Sequence, residues 1–305
     1  MINLVYFGSP AFSAKILESV IRIQNSEFKT IGVVTQPDKL LGRRQVLTPS
    51  PVAQIAAKYD LPVFKPEKLD DGNLSHLKLL KPDLFLVVSY GKIIPASWLT
   101  TPVIGTFNLH FSLLPKYRGA LPISEAIKNG DRETGVTLMQ MDEQLDHGPI
   151  ISQAKISIDI NDNCEALTNK LTQVDIELLT EYLPRLASGK FTSTPQDNSQ
   201  ASYTPTTKTR TRQSAFIPWS DIQCAMSNEQ SALTTHALIR SLNPDPGAWT
   251  VINSPSLREG TPTKQSIEIK ILKTSLKTIM TLDTVQLPGK NPISWKQFTS
   301  GRPPS

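Results

Sequence analysis

The chain has 305 residues, 39% of them apolar, which is enough to form two cores of ordinary domain size and makes a single compact domain the weaker expectation. No apolar run approaches the ~18–20 residues needed to span a bilayer, and the opening residues Met1 to Gly8 lack the basic start and cleavage site of an export signal, so a cytoplasmic protein is expected. Net charge is +5 but unevenly placed: residues 206–305 carry 12 Lys/Arg against 6 Asp/Glu, or +6, while residues 1–205 carry 20 against 21, or −1. Such a basic C-terminal third suits a polyanionic partner, and a solvated basic face has the same signature.

Residues Ile2–Phe7 form a short apolar run that meets a Gly-Ser-Pro turn, after which Phe12, Ile16, Leu17, Val20 and Ile21 recur at helical spacing: strand, turn, helix. Thr30–Thr35 reads as a second buried strand, Val52–Tyr59 and Leu74–Leu80 as helices, and Leu84–Ser89 as a further buried strand. Strands that are apolar on both faces and alternate with helices imply an α/β fold, a Rossmann-like, mostly parallel sheet with helices on both faces. Gly135–Met141 and Ile150–Ile158 read as additional strands and Glu165–Ala187 as an amphipathic helix. From Phe191 to Thr211 the composition shifts to Thr, Ser, Pro, Gln and Asn, the signature of a linker. The expected organisation is a first domain over residues 1–190, a linker over 191–205 and a second domain over 206–305. In the last of these, Trp249–Ile252, Ile267–Leu272, Ile279–Leu282 and Thr284–Leu287 read as strands and Ser231–Ser241 as one helix, a small β-rich domain.

Chemistry is concentrated where polar residues interrupt apolar strands. In a strand, Asn108 and His110 share a face while Leu109 points to the other. A single histidine in an apolar run is ordinarily a satisfied structural residue, and Asn-x-His recurs by chance. Here the pair is followed at once by Ser112-Leu-Leu-Pro115 and Tyr117-Arg-Gly119, then by Asp146-His-Gly148. An amide and an imidazole at a strand end can donate hydrogen bonds to an oxygen that gains charge, and a carboxylate can orient the imidazole. Both Asp142 and Asp146 are available for that role. Cys164 and Cys224 lack partners at metal-ligand spacing, so neither disulfide nor metal is expected. Ser9, Ser89 and Ser112 lack the Gly-x-Ser-x-Gly elbow of a serine hydrolase. Gly8-Ser-Pro-Ala-Phe12 lacks the Gly-x-Gly-x-x-Gly turn of a dinucleotide site.

Taken in order, Phe7-Gly-Ser-Pro10, Thr35-Gln-Pro-Asp38 with Gly42-Arg43, Pro49-Ser-Pro51, Asn108-x-His110, Ser112-Leu-Leu-Pro115, Arg118-Gly-Ala120 and Gly135 to Asp142 make the chain resemble the folate-dependent formyltransferases, most of all the branch that acts on initiator methionyl-tRNA. The resemblance implies transfer of the formyl group of 10-formyltetrahydrofolate to the amino group of that methionine, or alternatively to an amino sugar or other small amine. It implies that Asn108 and His110 contact the formyl oxygen and that Asp146, completed by Gly148 into Asp-x-Gly, pairs with His110. His147 then stands at a variable position and reads as an exposed loop residue. Ser112, Leu113, Leu114 and Pro115, with Val88, Ser89, Tyr90 and Gly91, would form the wall for the folate.

The resemblance also implies tRNA contacts. Lys39, Arg43 and Arg44 lie in a long loop bounded by Pro37 and Pro51, which departs from the family at Leu40, Leu41 and Gln45. Lys208, Arg210 and Arg212 lead into a second domain that would be an oligonucleotide-binding (OB-like) β-barrel. Trp249 reads as a core anchor, with base stacking as the other possibility. The expected state is a monomer without metal.

Overall fold

The computed structural model describes residues 1–24, 27–42, 44–254 and 265–300. In chain order the elements begin β1 (Ile2–Gly8), α1 (Ala11–Ile23), β2 (Phe28–Val34), β3 (Lys39–Leu41), β4 (Val46–Thr48), α2 (Pro51–Lys58), β5 (Val63–Phe64), α3 (Asp71–Lys78), β6 (Leu84–Val88), α4 (Ala96–Leu99) and β7 (Gly105–His110). They continue with α5 (Pro122–Lys128), β8 (Glu133–Gln140), β9 (Ile150–Ser157), α6 (Cys164–Ala187), α7 (Trp219–Ala225), α8 (Glu229–Leu242), β10 (Trp249–Ser254), β11 (Gln265–Leu276), β12 (Met280–Gln286), β13 (Ile293–Ser294) and α9 (Trp295–Thr299). Two compact units result: Met1–Ala120, Thr134–Ile156 and Thr168–Thr204 in the first, Leu121–Glu133, Ser157–Leu167 and Pro205–Ser305 in the second.

The first unit is built on a seven-stranded sheet in the order β5-β2-β1-β6-β7-β8-β9. β5, β2, β1, β6 and β7 run parallel, and β8 is antiparallel to β7. Both faces of β1 and β6 are covered over Leu4–Phe7 and Leu84–Val88, which is why these stretches are apolar throughout. On one face Val5, Phe7, Phe85 and Val87 pack with Leu74 and Leu77 of α3 and Trp98 of α4. Phe7 meets Tyr90 and Trp98 edge-on, at centroid distances of 5.6 and 6.3 Å. Ile16, Leu17 and Val20 of α1 are completely buried, each burial contributing about 1.5–3 kcal/mol. The Tyr6 hydroxyl donates to the Ser13 carbonyl oxygen at 2.8 Å. Asp175 of α6 is also fully buried in this unit, and among the described residues neither of its carboxylate oxygens has a hydrogen-bond partner. Loss of solvation pushes its carboxyl well above the usual carboxylate range.

The segment expected as a long loop between Pro37 and Pro51 contains a hairpin. β3 and β4 pair antiparallel with Leu40 opposite Leu47, and Leu40, Val46 and Leu47 are exposed. Three residues per strand are too few for the alternation that marks a strand in sequence.

The second unit holds a four-stranded antiparallel sheet in the order β10-β11-β12-β13. Ile239 of α8 joins Ile271, Met280 and Leu282 of the sheet in its core, with Trp249 packed against them. The Trp249 indole N–H donates to the Arg212 carbonyl at 2.7 Å, and its ring lies 4.8 Å from that of Phe216, the arrangement of a core anchor. His236 of α8 is fully buried with both ring nitrogens engaged, by Thr274 Oγ1 at 2.7 Å and the Ile160 carbonyl at 2.8 Å. The helices α5, α7 and α9 were not anticipated; seven residues or fewer complete at most two turns, so periodicity cannot reveal them. Among the described residues no helix is long and apolar enough to cross a membrane.

Candidate active site

From β1 the sheet grows in one direction through β2 and β5, and the chain then returns to the other side of β1 for β6 and β7. The carboxyl ends of β1, β6 and β7 therefore open at a topological switch point, the place where open α/β sheets bind ligands. Ser9, just past β1, donates through Oγ to the Tyr90 carbonyl at 3.2 Å, and Gln36 Nε2 donates to the same oxygen at 3.0 Å. Ser89 and Gly91 take positive φ values of 53° and 84°, which turn the chain sharply after β6.

β7 carries the polar pair. Its register places Asn108 beside Val87 of β6 and opposite Met139 of β8, with His110 opposite Thr137. Asn108 and His110 are 8% and 6% exposed, and both lie on the strand face opposite Leu109. His110 Nε2 stands 2.8 Å from the Tyr117 carbonyl oxygen. A carbonyl only accepts, so Nε2 carries the hydrogen and Nδ1 is the nitrogen left facing Asp146. Nδ1 lies 3.6 Å from Asp146 Oδ2. That gap exceeds a hydrogen bond, so imidazole and carboxylate face each other without being bonded to each other.

Asp146 is fixed from several sides. The Gly119 N–H donates to its Oδ2 at 2.7 Å. The turn Tyr117–Gly119 thus grips the imidazole through one carbonyl and the carboxylate through one N–H. Asp146 itself has a φ of 47°, a left-handed conformation that its surroundings must enforce. A Cβ on Gly148 would overlap the Gln140 carbonyl. The Asp-x-Gly pattern therefore reflects close backbone approach at its last residue.

Arg118, between those two gripping residues, is 2% exposed. Its Nε and Nη2 donate to Gln196 Oε1 at 3.1 and 2.8 Å, Nη2 also to Asn198 Oδ1 at 2.8 Å, and Nη1 to the Tyr203 hydroxyl at 3.2 Å. Among the described residues no carboxylate lies within ion-pair distance of it. Neutral oxygens therefore offset a desolvation cost that runs to several kcal/mol for a buried ion. Gln196 Nε2 in turn donates to the carbonyls of Asp146 and Gly148 at 2.9 and 2.8 Å. The main chain of Arg118 pairs with the segment around Tyr203, through Arg118 N to Ser202 O and Thr204 N to Arg118 O, both at 2.8 Å.

His147 departs from the expectation of an exposed loop residue: its Nδ1 lies 2.7 Å from Asp142 Oδ2, and its side chain is 27% exposed. Asp142, the other carboxylate within reach by sequence, is directed to His147, whereas Asp146 faces His110. Gln196, Asn198 and Tyr203 were not singled out from the sequence. They lie in the tract rich in small polar residues, whose composition resembles a linker and whose partners are distant in the chain.

The residues expected to line the folate site follow β6 and β7, which are adjacent strands. The Ser112 side chain is buried and donates to the Lys116 carbonyl at 2.6 Å. Leu114 and Tyr90 are likewise buried, and burial pushes the Tyr90 hydroxyl up to about 12. Leu113, Pro115, Ser89 and Gly91 are more open. Of the expected tRNA contacts in the first unit, Lys39 and Arg44 are exposed on and beside the β3–β4 hairpin, and Arg43 lies outside the described residues. In the second unit Lys208 is exposed, whereas Arg210 donates to Ser124 Oγ, to the Ser241 carbonyl and to the Asp245 carbonyl. Arg212 is paired with Glu268 at 2.5 Å and sits 4.7 Å over the Trp249 ring. These two arginines are largely engaged within their own unit.

Residues 2–183 match the family model described as formyl transferase. A methionyl-tRNA formyltransferase from Staphylococcus aureus (strain JH1) is 36% identical over 316 aligned positions, covering 99% of this chain and 96% of that protein. Among solved structures, the N-formyltransferase from Helicobacter canadensis in complex with folinic acid and dTDP-3-aminofucose superposes with a TM-score of 0.62 at 22% identity, covering 91% of this chain and 88% of that one. A 4-N formyltransferase from Francisella tularensis gives 0.64 at 17% identity over 90% of this chain and 99% of that one. At such identities the structural likenesses establish the fold alone. The family match over the segment that holds Asn108, His110 and Asp146, together with a relative alike over nearly the whole length, makes this chain a member of the formyltransferase family of enzymes.

Proposed function

We propose that the protein transfers the formyl group of 10-formyltetrahydrofolate to the amino group of methionine on initiator methionyl-tRNA, giving N-formylmethionyl-tRNA for translation initiation. The observation that carries this reading is the 36% identity to a methionyl-tRNA formyltransferase over 99% of the chain, which includes the second unit and its excess of basic residues. The reading places the reaction in the cytoplasm with the protein acting as a monomer.

The neutral amine attacks the formyl carbon, and the carbonyl oxygen gains negative charge in a tetrahedral species. Donors fixed in a dry site stabilise that charge most. Asn108, 8% exposed beside His110, supplies an amide N–H for it. His110, anchored by its Nε2–H to the Tyr117 carbonyl, presents Nδ1 toward the same space, where it is a donor when the ring carries both protons. As the C–N bond forms, the attacking nitrogen must lose a proton. Asp146 receives it, directly or through water: its Oδ2 is held by Gly119, and its second oxygen retains lone pairs for the proton. Collapse of the intermediate breaks the bond between formyl carbon and folate nitrogen, and the leaving nitrogen takes up a proton. The products are the formamide and tetrahydrofolate. Val88–Gly91 and Ser112–Pro115 would hold the folate mainly through backbone groups and the side chains of Leu113 and Pro115.

The test is transfer from 10-formyltetrahydrofolate to charged initiator tRNA, with uncharged tRNA and a nucleotide-linked amino sugar as parallel acceptors, at two salt concentrations. Salt-sensitive formylation of charged initiator tRNA alone is the expected result. Preferential formylation of the sugar would move the substrate to the small-amine branch.

A further inference from the structure

Gln196 bridges Arg118 and the main chain of the loop that carries Asp146. Its Oε1 accepts from Arg118 Nε and Nη2, and its Nε2 donates to the carbonyls of Asp146 and Gly148. The guanidinium can only donate, so it dictates which end of the amide is oxygen. The nitrogen end must then point at the two carbonyls. These carbonyls bracket His147 and belong to the loop in which Asp146 is held at a φ of 47°. Asn198 repeats the arrangement: its Oδ1 accepts from Arg118 Nη2 at 2.8 Å, which turns its Nδ2 toward His147 Nε2 at 3.3 Å. His147 is engaged through its other nitrogen with Asp142, at 2.7 Å. A buried cation thus orients two amides, and both amides hold the loop that carries Asp146.

We infer that Gln196 is a positioning residue: oriented by Arg118, it fixes the backbone of Asp146 and Gly148 and through it the direction in which the Asp146 carboxylate meets the substrate amine. The inference rests on the role proposed above for Asp146. Gln196 touches neither the imidazole nor the carboxylate. A lost amide leaves the loop free to relax from its left-handed conformation, and displacement of a reacting group by about 1 Å can cost on the order of 100-fold in rate.

Two variants separate positioning from the satisfaction of a buried charge. Gln196→Ala removes both functions. Gln196→Glu keeps an oxygen for Arg118, adds the missing counter-charge, and sets a carboxylate oxygen against two carbonyls. In single-turnover formylation of initiator methionyl-tRNA by the full-length protein, both variants are expected to lower the chemical rate by about 10–100-fold. KM for 10-formyltetrahydrofolate and for tRNA should stay within about twofold. Gln196→Glu should melt at or above the wild-type temperature. Each change should have no further effect in an Asp146→Ala background, because the residue it acts through is gone.

A Gln196→Glu protein with wild-type rate, a rate loss that tracks a fall in Tm, or an undiminished Gln196→Ala effect on top of Asp146→Ala would overturn the inference. Full activity of Asp146→Ala by itself would instead remove the role of Asp146, and this inference with it.

Discussion

His110 at the end of β7 and His236 in α8 are both buried, 6% and 0% exposed, yet their hydrogen bonds differ in kind. His236 is closed: Nε2 donates to the Ile160 carbonyl and Nδ1 is met by the Thr274 hydroxyl, a set that suits the neutral ring. Burial pushes its ionisation below the usual imidazole value, as expected for a ring with no need of charge. His110 has one nitrogen committed to Tyr117 and the other facing a carboxylate across 3.6 Å. Burial of a polar side chain does not by itself mark a site. What distinguishes the two regions is hydrogen-bonding capacity left over after the fold has been satisfied.

The contrast is sharpest under substitution. His110→Ala should lower the rate of formyl transfer by about 100- to 10,000-fold, the range for lost acid–base or electrostatic assistance, with thermal melting shifted little. His236→Ala should do the reverse, lowering Tm by roughly 4–8 °C, as expected for a cost of about 2 kcal/mol from orphaned polar partners, while turnover below the transition stays near wild type. A His236 variant that melts normally but fails in turnover would break the comparison.

Solution pH should separate two buried groups of opposite sign. His236 ionises below its usual value of 6.5 in the folded protein, so its contribution to stability is present above that value and is lost as pH falls through the depressed one. Asp175 is raised, so its contribution is present below the usual carboxylate value and is lost as pH rises through the elevated one. Asp175→Asn should therefore raise Tm more at pH 8 than at pH 5, by a difference of roughly 2–4 °C for each kcal/mol recovered. Equal shifts at both pH values would mean that Asp175 does not titrate on unfolding.

The smallest expected effect lies on the hairpin. Arg44→Ala should raise KM for tRNA by about 2–5-fold and flatten its salt dependence by loss of one phosphate contact, leaving KM for the folate unchanged.

Much of the first unit was legible because β1 and β6 are covered on both faces, so that every residue from Leu4 to Phe7 and from Leu84 to Val88 is apolar. Asn108 and His110 stood out against that background as polar residues in a buried strand. Asp146 was separable from Asp142 through Gly148, and the steric reason, the approach of the Gln140 carbonyl, emerges only in three dimensions. The rest was hidden for identifiable causes. Gln196 bonds to main-chain carbonyls, which leave no trace in side-chain chemistry. The partners of Arg210 and Arg212, main-chain carbonyls for the first and Glu268 for the second, are likewise distant in the chain, and Arg212 still exposes most of its side chain. The β3–β4 hairpin exposes Leu40, Val46 and Leu47, so its apolar residues do not alternate between a buried and a solvated face along the sequence.

The turn Tyr117–Gly119 has a consequence for how the enzyme fails. Because its carbonyl holds His110 and its N–H holds Asp146, the separation of the two groups is an internal dimension of three residues rather than of the long chain path between them. A local dimension of this kind does not drift as the rest of the molecule loosens; it persists while the turn is intact and vanishes when the turn opens. Gradual weakening away from this turn and from the Gln196 contacts to the Asp146 loop should leave turnover per folded molecule constant, and activity should disappear in a single step with the melting of that turn.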